Sequence, residues 1–133
     1  MIPTGLAGSY VCRGVRGAIT VEENTAESIL AATRELLTAL VDANDIDPDD
    51  IGAVWFTTTT DLTAEYPAVA ARQLGWTDTA LMCAHEMNVP HGLPQCVRVM
   101  ILWNTARPAR DIHHVYLRGA AELRPERSGH VTQ

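Results

Sequence analysis

The sequence predicts an α/β domain of the mixed α+β type, in which a mixed five-stranded sheet is covered on one face by two helices. Three observations support this prediction. The length of 133 residues suits one domain with one core. The apolar patterns follow the order β-α-β-α-β-β-β, and turn residues separate the segments. We therefore treat residues 1–133 as a single domain, with residues 1–10 as a leader and residues from about 122 to 133 as a C-terminal tail.

The first strand is predicted from Tyr10 to Thr20, where valine, alanine and isoleucine alternate with arginine and glycine. Isoleucine, leucine and valine then recur at helical intervals, which predicts a first helix from Thr25 to Asn44. Thr20, which has capping-box spacing to a glutamate, and Asn24 and Thr25 are the candidate N-caps. This first β-α unit provides one strand and the longer of the two covering helices.

The middle of the chain predicts a second β-α unit. Residues 47–50 are predicted to form a single helical turn, with Asp47 as the N-cap and Pro48 at the first helical position. A second strand rich in β-formers is predicted at Ala53–Thr59. A short second helix starts at Asp61 and Pro67 and ends at Leu74–Gly75, where glycine suits the C-terminal cap.

The remaining strands are predicted at Thr79–Cys83, Gln95–Asn104 and His114–Leu117, with an irregular loop at His85–Pro94 and, from Arg118 to Gln133, a segment whose end is polar enough for a tail. Because two helices cover only one face of such a sheet, its second apolar face lacks a partner within the chain. We expect a homo-oligomer to bury that face.

Composition excludes several classes of function. The net charge of -6 disfavours a nucleic-acid partner, and the apolar fraction is that of an ordinary globular protein. All ten basic residues are arginine, so a lysine Schiff base is excluded. The first eight residues lack the pattern of a signal peptide or membrane anchor, so we expect a cytoplasmic protein.

The cysteines show no disulfide pattern. Three cysteines without a CxxC pair (Cys12, Cys83 and Cys96) indicate free thiols rather than disulfides.

Arg98 is the most informative residue, because it lies within an otherwise buried strand. Side chains alternate along a strand, so Arg98 should share a face with Cys96 and Met100, opposite Val97 and Val99. A guanidinium stays charged and needs an anion or several acceptors in an apolar setting. The anion is either an internal carboxylate or a ligand.

Arg16 lies in the first strand much as Arg98 lies in the fourth, and Glu86 follows the third strand. Two arginines on adjacent strands could clamp a dicarboxylate, with Glu86 as the counter-charge. The alternative is that internal acids, Glu22 or Glu86, neutralise both arginines. Such a site suits electrostatic stabilisation of a transition state.

Other chemistry is less well supported. Cys83 could act as a nucleophile with His85 or His114, but a buried inert thiol fits its surroundings better. The adjacent histidines His113 and His114 point to opposite faces of a strand and make a poor metal site. The sequence has no glycine-rich phosphate loop. We therefore expect no metal and no cofactor.

Taken together, these motifs resemble the trimeric α/β-barrel class of monofunctional chorismate mutases. The resemblance spans Arg13 to about Pro125. It is carried by Arg13–Glu22, Asp61–Leu62, Tyr66–Ala68 with Arg72, Cys83 with Glu86–Met87, Gly92–Leu93, Cys96–Met100, His114–Leu117 and Leu123–Pro125.

The resemblance implies an isomerase that converts chorismate to prephenate in the shikimate pathway, for aromatic amino acid biosynthesis. One C–O bond breaks and one C–C bond forms, without a covalent intermediate or cofactor. It also implies a homotrimer that forms a pseudo-α/β barrel, with each active site in a cleft between neighbouring subunits.

By the resemblance, Arg98 donates to the ether oxygen and a carboxylate of the substrate, Arg16 grips the side-chain carboxylate, and Glu86 accepts from the ring hydroxyl. Tyr116 binds a carboxylate. The stretch that lines the ring comprises Met82, Cys83, Ala84, His85 and Glu86. Tyr66, Ala68 and Arg72 of the neighbouring chain complete the pocket, and Leu123 and Arg124 close its mouth.

Two alternatives remain at this point. A trimeric enamine or imine deaminase of similar fold would use one arginine to hold a carboxylate, which leaves Arg16 and Glu86 without a role. A non-catalytic regulator could bind a dicarboxylate without turnover.

Overall fold

A computed structural model describes residues 9–123 as a mixed sheet with two helices against one face. The strands are β1 (Val11–Thr20), β2 (Ile51–Thr58), β3 (Ala80–His85), β4 (Cys96–Thr105) and β5 (Val115–Leu117). The helices are α1 (Ala26–Asn44) and α2 (Ala68–Gln73), and short 3₁₀ turns occupy Pro48–Asp50, Ala109–Asp111 and Arg118–Leu123. Most of the predicted leader and tail lies outside the described residues.

The sheet has the order β3-β2-β4-β1-β5, which places β4 at its centre. β4 runs antiparallel to both β1 and β2, whereas β2 pairs with β3 and β1 with β5 in parallel. The five-stranded mixed sheet predicted from the sequence is confirmed. No helix of residues 9–123 is both long enough and apolar enough to cross a membrane.

Helix α1 begins at the third of the candidate caps. The Thr25 hydroxyl accepts a hydrogen bond from the Ser28 N–H at 3.1 Å. Asn24 has a different role, because its side-chain oxygen accepts from the N–H groups of Thr63 and Ala64. The helix ends at Asp45, whose left-handed conformation lets its N–H bond to Val41 O.

The core lies between the sheet and the helices. Every second residue of the central strands points into it, as the alternation within strands requires. The members from the sheet are Val15 and Ile19 of β1, Ile51, Val54 and Phe56 of β2, Val97, Val99, Ile101 and Trp103 of β4, and Val115 of β5. Helix α1 packs Ile29, Leu36, Leu37 and Leu40 against them, all fully buried. Neither α-helix of residues 9–123 packs against the opposite face of the sheet, here called the open face, where the 3₁₀ turn Arg118–Leu123 covers only the part near Ala18 and Tyr116.

Some predicted boundaries were wrong. β2 starts at Ile51 rather than at Ala53. The predicted loop at His85–Pro94 starts too early, because His85 still pairs with Thr58 as the last residue of β3. Asp61 does not begin a helix, since its carboxylate accepts from the Gln95 N–H and α2 starts only after Pro67.

Arg118–Leu123, the start of the segment that the sequence predicts to end in a polar tail, forms a 3₁₀ turn. Arg118 fixes the start of this turn. Its guanidinium contacts Glu35 on α1 at 2.6 Å and donates to Thr20 O, and the Gly119 N–H donates to the Thr20 hydroxyl. Such contacts join distant parts of the chain and leave no local sequence pattern.

Replacing Gly17 should destabilise the fold. A Cβ at Gly17 would lie 2.9 Å from Leu40 Cδ1 and 3.0 Å from the backbone oxygen of Val115, closer than packing allows. We expect Gly17→Ala to lower the free energy of unfolding by about 1–3 kcal/mol, the usual cost of overpacking a core. Urea unfolding at one fixed protein concentration measures it. Gly52→Ala is the control, because its Cβ would meet nothing closer than 3.8 Å; equal midpoints for both variants would contradict the packing argument.

Candidate active site

On the open face, residues that pair across neighbouring strands lie side by side in rows. Arg98 on β4 pairs with Ala18 on β1 and with Thr57 on β2. Ala18 in turn pairs with Tyr116 on β5. Arg98 therefore lies on the face opposite the core, as its position in the strand predicted, and Tyr116 lies in the same row.

This row is part of the lining of an open cavity of about 280 Å³. Its lining residues come from all strands except β3, together with the loop after β3 and the last 3₁₀ turn. They are Arg16, Gly17, Ala18, Trp55, Thr57, Glu86, Arg98, Val99, Met100, Tyr116 and Leu123. Five of the predicted site residues thus come together: Arg16, Glu86, Arg98, Tyr116 and Leu123.

Glu86 is held in place by three contacts. Its N–H donates to Thr58 O at 2.7 Å, so the residue continues directly from β3 along the end of β2. One carboxylate oxygen, Oε1, accepts from the Met87 N–H at 3.2 Å. The other, Oε2, accepts from the Thr57 hydroxyl at 3.1 Å. The carboxylate therefore has a defined orientation towards the cavity.

Arg98 and Glu86 form only a partial ion pair. Arg98 Nε lies 3.4 Å from Glu86 Oε2, and both side chains remain partly exposed. The contact is not a hydrogen bond, because the buried Nε atom has no hydrogen-bond partner among the described residues. The two terminal nitrogens of the guanidinium likewise make no ion pair within residues 9–123. Internal neutralisation of Arg98 is thus incomplete.

Arg16 of β1 lines the same cavity. Its backbone N–H donates to His114 Nδ1 at 3.0 Å, which fixes this part of β1 against the segment that leads into β5. Its side chain makes no hydrogen bond or ion pair with another residue in the described range 9–123. The predicted alternative in which Glu22 neutralises Arg16 is wrong within this range.

Tyr116 and Leu123 form the apolar end of the cavity. Tyr116 is buried, at 5 % exposure, in a small cluster with Ala18, Cys96 and Ala120, and Leu123 packs against this cluster. The 3₁₀ turn that carries Ala120 and Leu123 thereby contributes a wall of the site. Arg124, which was predicted to close the mouth together with Leu123, lies outside the described residues.

The predicted ring-lining stretch is divided between two faces of β3. Met82 and Ala84 lie on the open face, paired with Trp55 and Thr57, although they do not line the cavity. Cys83 and His85 lie on the other side. Together with Ala84 they line a second cavity of about 380 Å³, which Tyr66 also lines.

Cys83 is also close to the other two residues predicted to come from a neighbouring chain. Burial raises the pKa of the Cys83 thiol, while the Ala68 N–H and the positive charge of Arg72 oppose that shift. Tyr66, Ala68, Arg72 and Cys83 thus form one group around the start of α2, separate from the arginine cavity. We call this group the α2 surface.

Six lining residues were not predicted as site residues, and Thr57, Trp55 and Met100 are among them. Thr57 and Trp55 alternate with core residues along β2, which shows that they face away from the core. Only the pairing of β2 with β4, however, shows that they lie beside Arg98 and Met100. Among residues 9–123, no group of three or more histidine, cysteine or acidic side chains is placed to hold a metal ion.

Comparison with known proteins identifies the family. The model of the family described as chorismate mutase type I matches residues 12–127. This chain belongs to that family. Chorismate mutase AroH of Thermus thermophilus is 52% identical over 115 residues, which cover 86% of this chain and 94% of that protein. Chorismate mutase AroH of Bacillus subtilis (strain 168) is 43% identical over 117 residues, covering 87% and 92%.

A solved structure agrees. The chorismate mutase from Clostridium thermocellum superposes with a TM-score of 0.81 at 50% sequence identity, covering 82% of this chain and 97% of that one. The predicted resemblance to monofunctional chorismate mutases is confirmed, and with it the isomerase activity. Membership of this family decides against the deaminase and against the non-catalytic regulator.

The thiol of Cys96 should be unreactive in the folded protein. Burial raises its pKa to about 11, and the nearby Arg98 charge only partly offsets this. The reactive thiolate is therefore scarce at pH 8. We expect iodoacetamide at pH 8 to label Cys96 at least tenfold more slowly in native than in urea-unfolded protein, as measured by peptide mass spectrometry. Equal labelling rates in the two states would show that this side of the sheet opens.

Proposed function

We propose that the arginine cavity is the site at which chorismate is rearranged to prephenate, and that the α2 surface of a neighbouring subunit closes it. One observation carries the proposal. Arg16 and Arg98 line the same cavity as Glu86, and neither guanidinium is fully paired within the described chain. The site thus has two cations and one anion, which suits a dianionic ligand.

In this proposal Arg98 is the main catalytic residue. It lies at the centre of the row, so its terminal nitrogens can reach the ether oxygen of the substrate and one carboxylate together. Negative charge grows on the enolpyruvyl part as the C–O bond breaks. A guanidinium already held in position stabilises that charge without reorganising. Its planar fork suits the two acceptors better than a point charge would.

Glu86 and Arg16 hold the substrate in the conformer that reacts. The fixed Glu86 carboxylate accepts from the ring hydroxyl and faces the carbon skeleton, where positive character develops. Arg16 grips the side-chain carboxylate from β1, and Tyr116 binds a carboxylate from β5. Fixing both ends of a flexible molecule brings the two carbons that bond close together, which is a recognised source of rate acceleration.

The second half of each site is proposed to come from another subunit of a homotrimer. The open face carries large exposed apolar side chains, Trp55 at 41% and Met82 at 60% exposure, that association would cover. Tyr66, at 69% exposure, and Arg72 are also exposed on the α2 surface. We place Cys83 and His85 in this second half, because they line the cavity next to Tyr66 rather than the one next to Arg98.

We also propose a cytoplasmic location. Support comes from the cysteines, since Cys12, Cys83 and Cys96 are all free thiols. Free thiols are typical of proteins in a reducing compartment.

Removing the Arg98 guanidinium should abolish most of the activity. We expect Arg98→Ala to lower kcat by a factor of about 100 or more, the usual scale for one preorganised donor. Arg98→Lys should also be poor, because an ammonium cannot bond two acceptors in one plane. The loss of chorismate absorbance in the ultraviolet measures turnover.

Two control variants make this test specific. Cys83→Ala should lose much less activity than Arg98→Ala. Arg110→Ala removes an exposed arginine from a 3₁₀ turn away from the cavity and should retain full turnover. Nearly full turnover of Arg98→Ala would remove the central role proposed for Arg98.

Mixed trimers should regain activity if each site is shared between subunits. Arg98→Ala disables the arginine cavity, and Arg72→Glu places a negative charge on the α2 surface, opposite a dianion. Refolding the two inactive variants together should restore activity in about a quarter of the clefts by random assembly.

The same variants mixed without unfolding serve as the control for subunit exchange, and light scattering gives the oligomer mass. A stable monomer, or co-refolded protein no more active than the sum of its parts, would contradict shared sites.

A further inference from the structure

We infer that Thr57 is a positioning residue that keeps the Glu86 carboxylate from pairing fully with Arg98. This inference rests on the proposed function of Glu86 and Arg98. Its starting point is a shared atom, because Glu86 Oε2 accepts from the Thr57 hydroxyl at 3.1 Å and lies 3.4 Å from Arg98 Nε.

An adjacent arginine and carboxylate normally form two parallel hydrogen bonds, the strongest geometry available to them. That arrangement is not adopted here. Glu86 directs one oxygen to its neighbour Met87 N–H and the other to Thr57, so neither is aligned with the guanidinium. Arg98 Nε is left buried without a hydrogen bond from the described residues.

Thr57 is placed to compete for this oxygen. It pairs directly with Arg98 across β2 and β4 on the same face, so the hydroxyl and the guanidinium approach the carboxylate from adjacent strands. The next residue of β2, Thr58, accepts from the Glu86 N–H at 2.7 Å. β2 therefore fixes Glu86 at both its backbone and its carboxylate.

The consequence for the reaction is that the positive charge of Arg98 and the negative charge of Glu86 both remain available to bind the substrate. A fully paired Glu86 and Arg98 would neutralise each other, and chorismate would have to break that pair in order to bind. With Thr57 in place, Arg98 can donate to the substrate while Glu86 accepts from its hydroxyl. Thr57 itself need not touch the substrate.

The test is a set of substitutions at Thr57 and Glu86, with two readouts. Thr57→Val keeps the side-chain shape but loses the hydroxyl. It should raise KM for chorismate and weaken prephenate binding in calorimetry, each about tenfold, the effect of one hydrogen bond to a charged group. Thr57→Ser should restore both to within about twofold of the parent protein. Thr105→Val, which removes a buried strand hydroxyl at the end of β4, should change neither.

The double variant distinguishes this role from a general effect on folding. Glu86→Gln has no charge with which to pair Arg98, so adding Thr57→Val to it should leave prephenate binding unchanged. Wild-type behaviour of Thr57→Val, or an equal loss in the Glu86→Gln background, would overturn the inference. Full turnover of Glu86→Gln alone would instead overturn the role proposed for Glu86.

Discussion

Two guanidinium groups lie on an apolar sheet with at most a partial ion pair to an internal acid, and the proposed site depends on that arrangement. Arg98 and Arg16 lie on adjacent strands with one partly engaged acid beside them. A second internal acid within bonding distance would neutralise the site, and a fully buried position would make the charges too costly. The open face meets both conditions, because water or a ligand can reach the cavity while the core stays on the other side.

The parts of the fold and site that the sequence predicted correctly are those fixed by alternation within one segment. Arg98 lies opposite Val97 and Val99 because successive strand residues point to opposite faces. The limits of α1 follow from the Thr25 cap and the apolar spacing. Each of these two signals lies within one stretch of about 20 residues. The orientation of Arg98 and the limits of α1 could therefore be predicted without knowledge of the tertiary structure.

What the sequence did not predict depends on which strands are neighbours. Thr57 lies beside Arg98 only because β2 pairs with β4 in a register that places these two residues opposite each other. The resemblance grouped Cys83 with Glu86 along the ring of the substrate, whereas within the described chain the alternation of β3 turns Cys83 towards α2. The 3₁₀ turn that ends at Leu123 depends on Arg118 bonding to Glu35 on α1, a contact between distant residues.

The same open face is proposed to serve for both catalysis and assembly, and the two uses support each other. Its apolar side chains, among them Trp55 and Met82, favour association, and association removes water from the charged cavity between them. Removing water lowers the local dielectric, so each guanidinium interacts more strongly with a dianion than it could on an exposed sheet. Without a ligand, that drier cavity holds a net positive charge at some cost. The nearby Glu86 carboxylate reduces this cost, and by our inference the Thr57 hydroxyl keeps the pairing partial, so that the Arg98 charge stays available to the substrate.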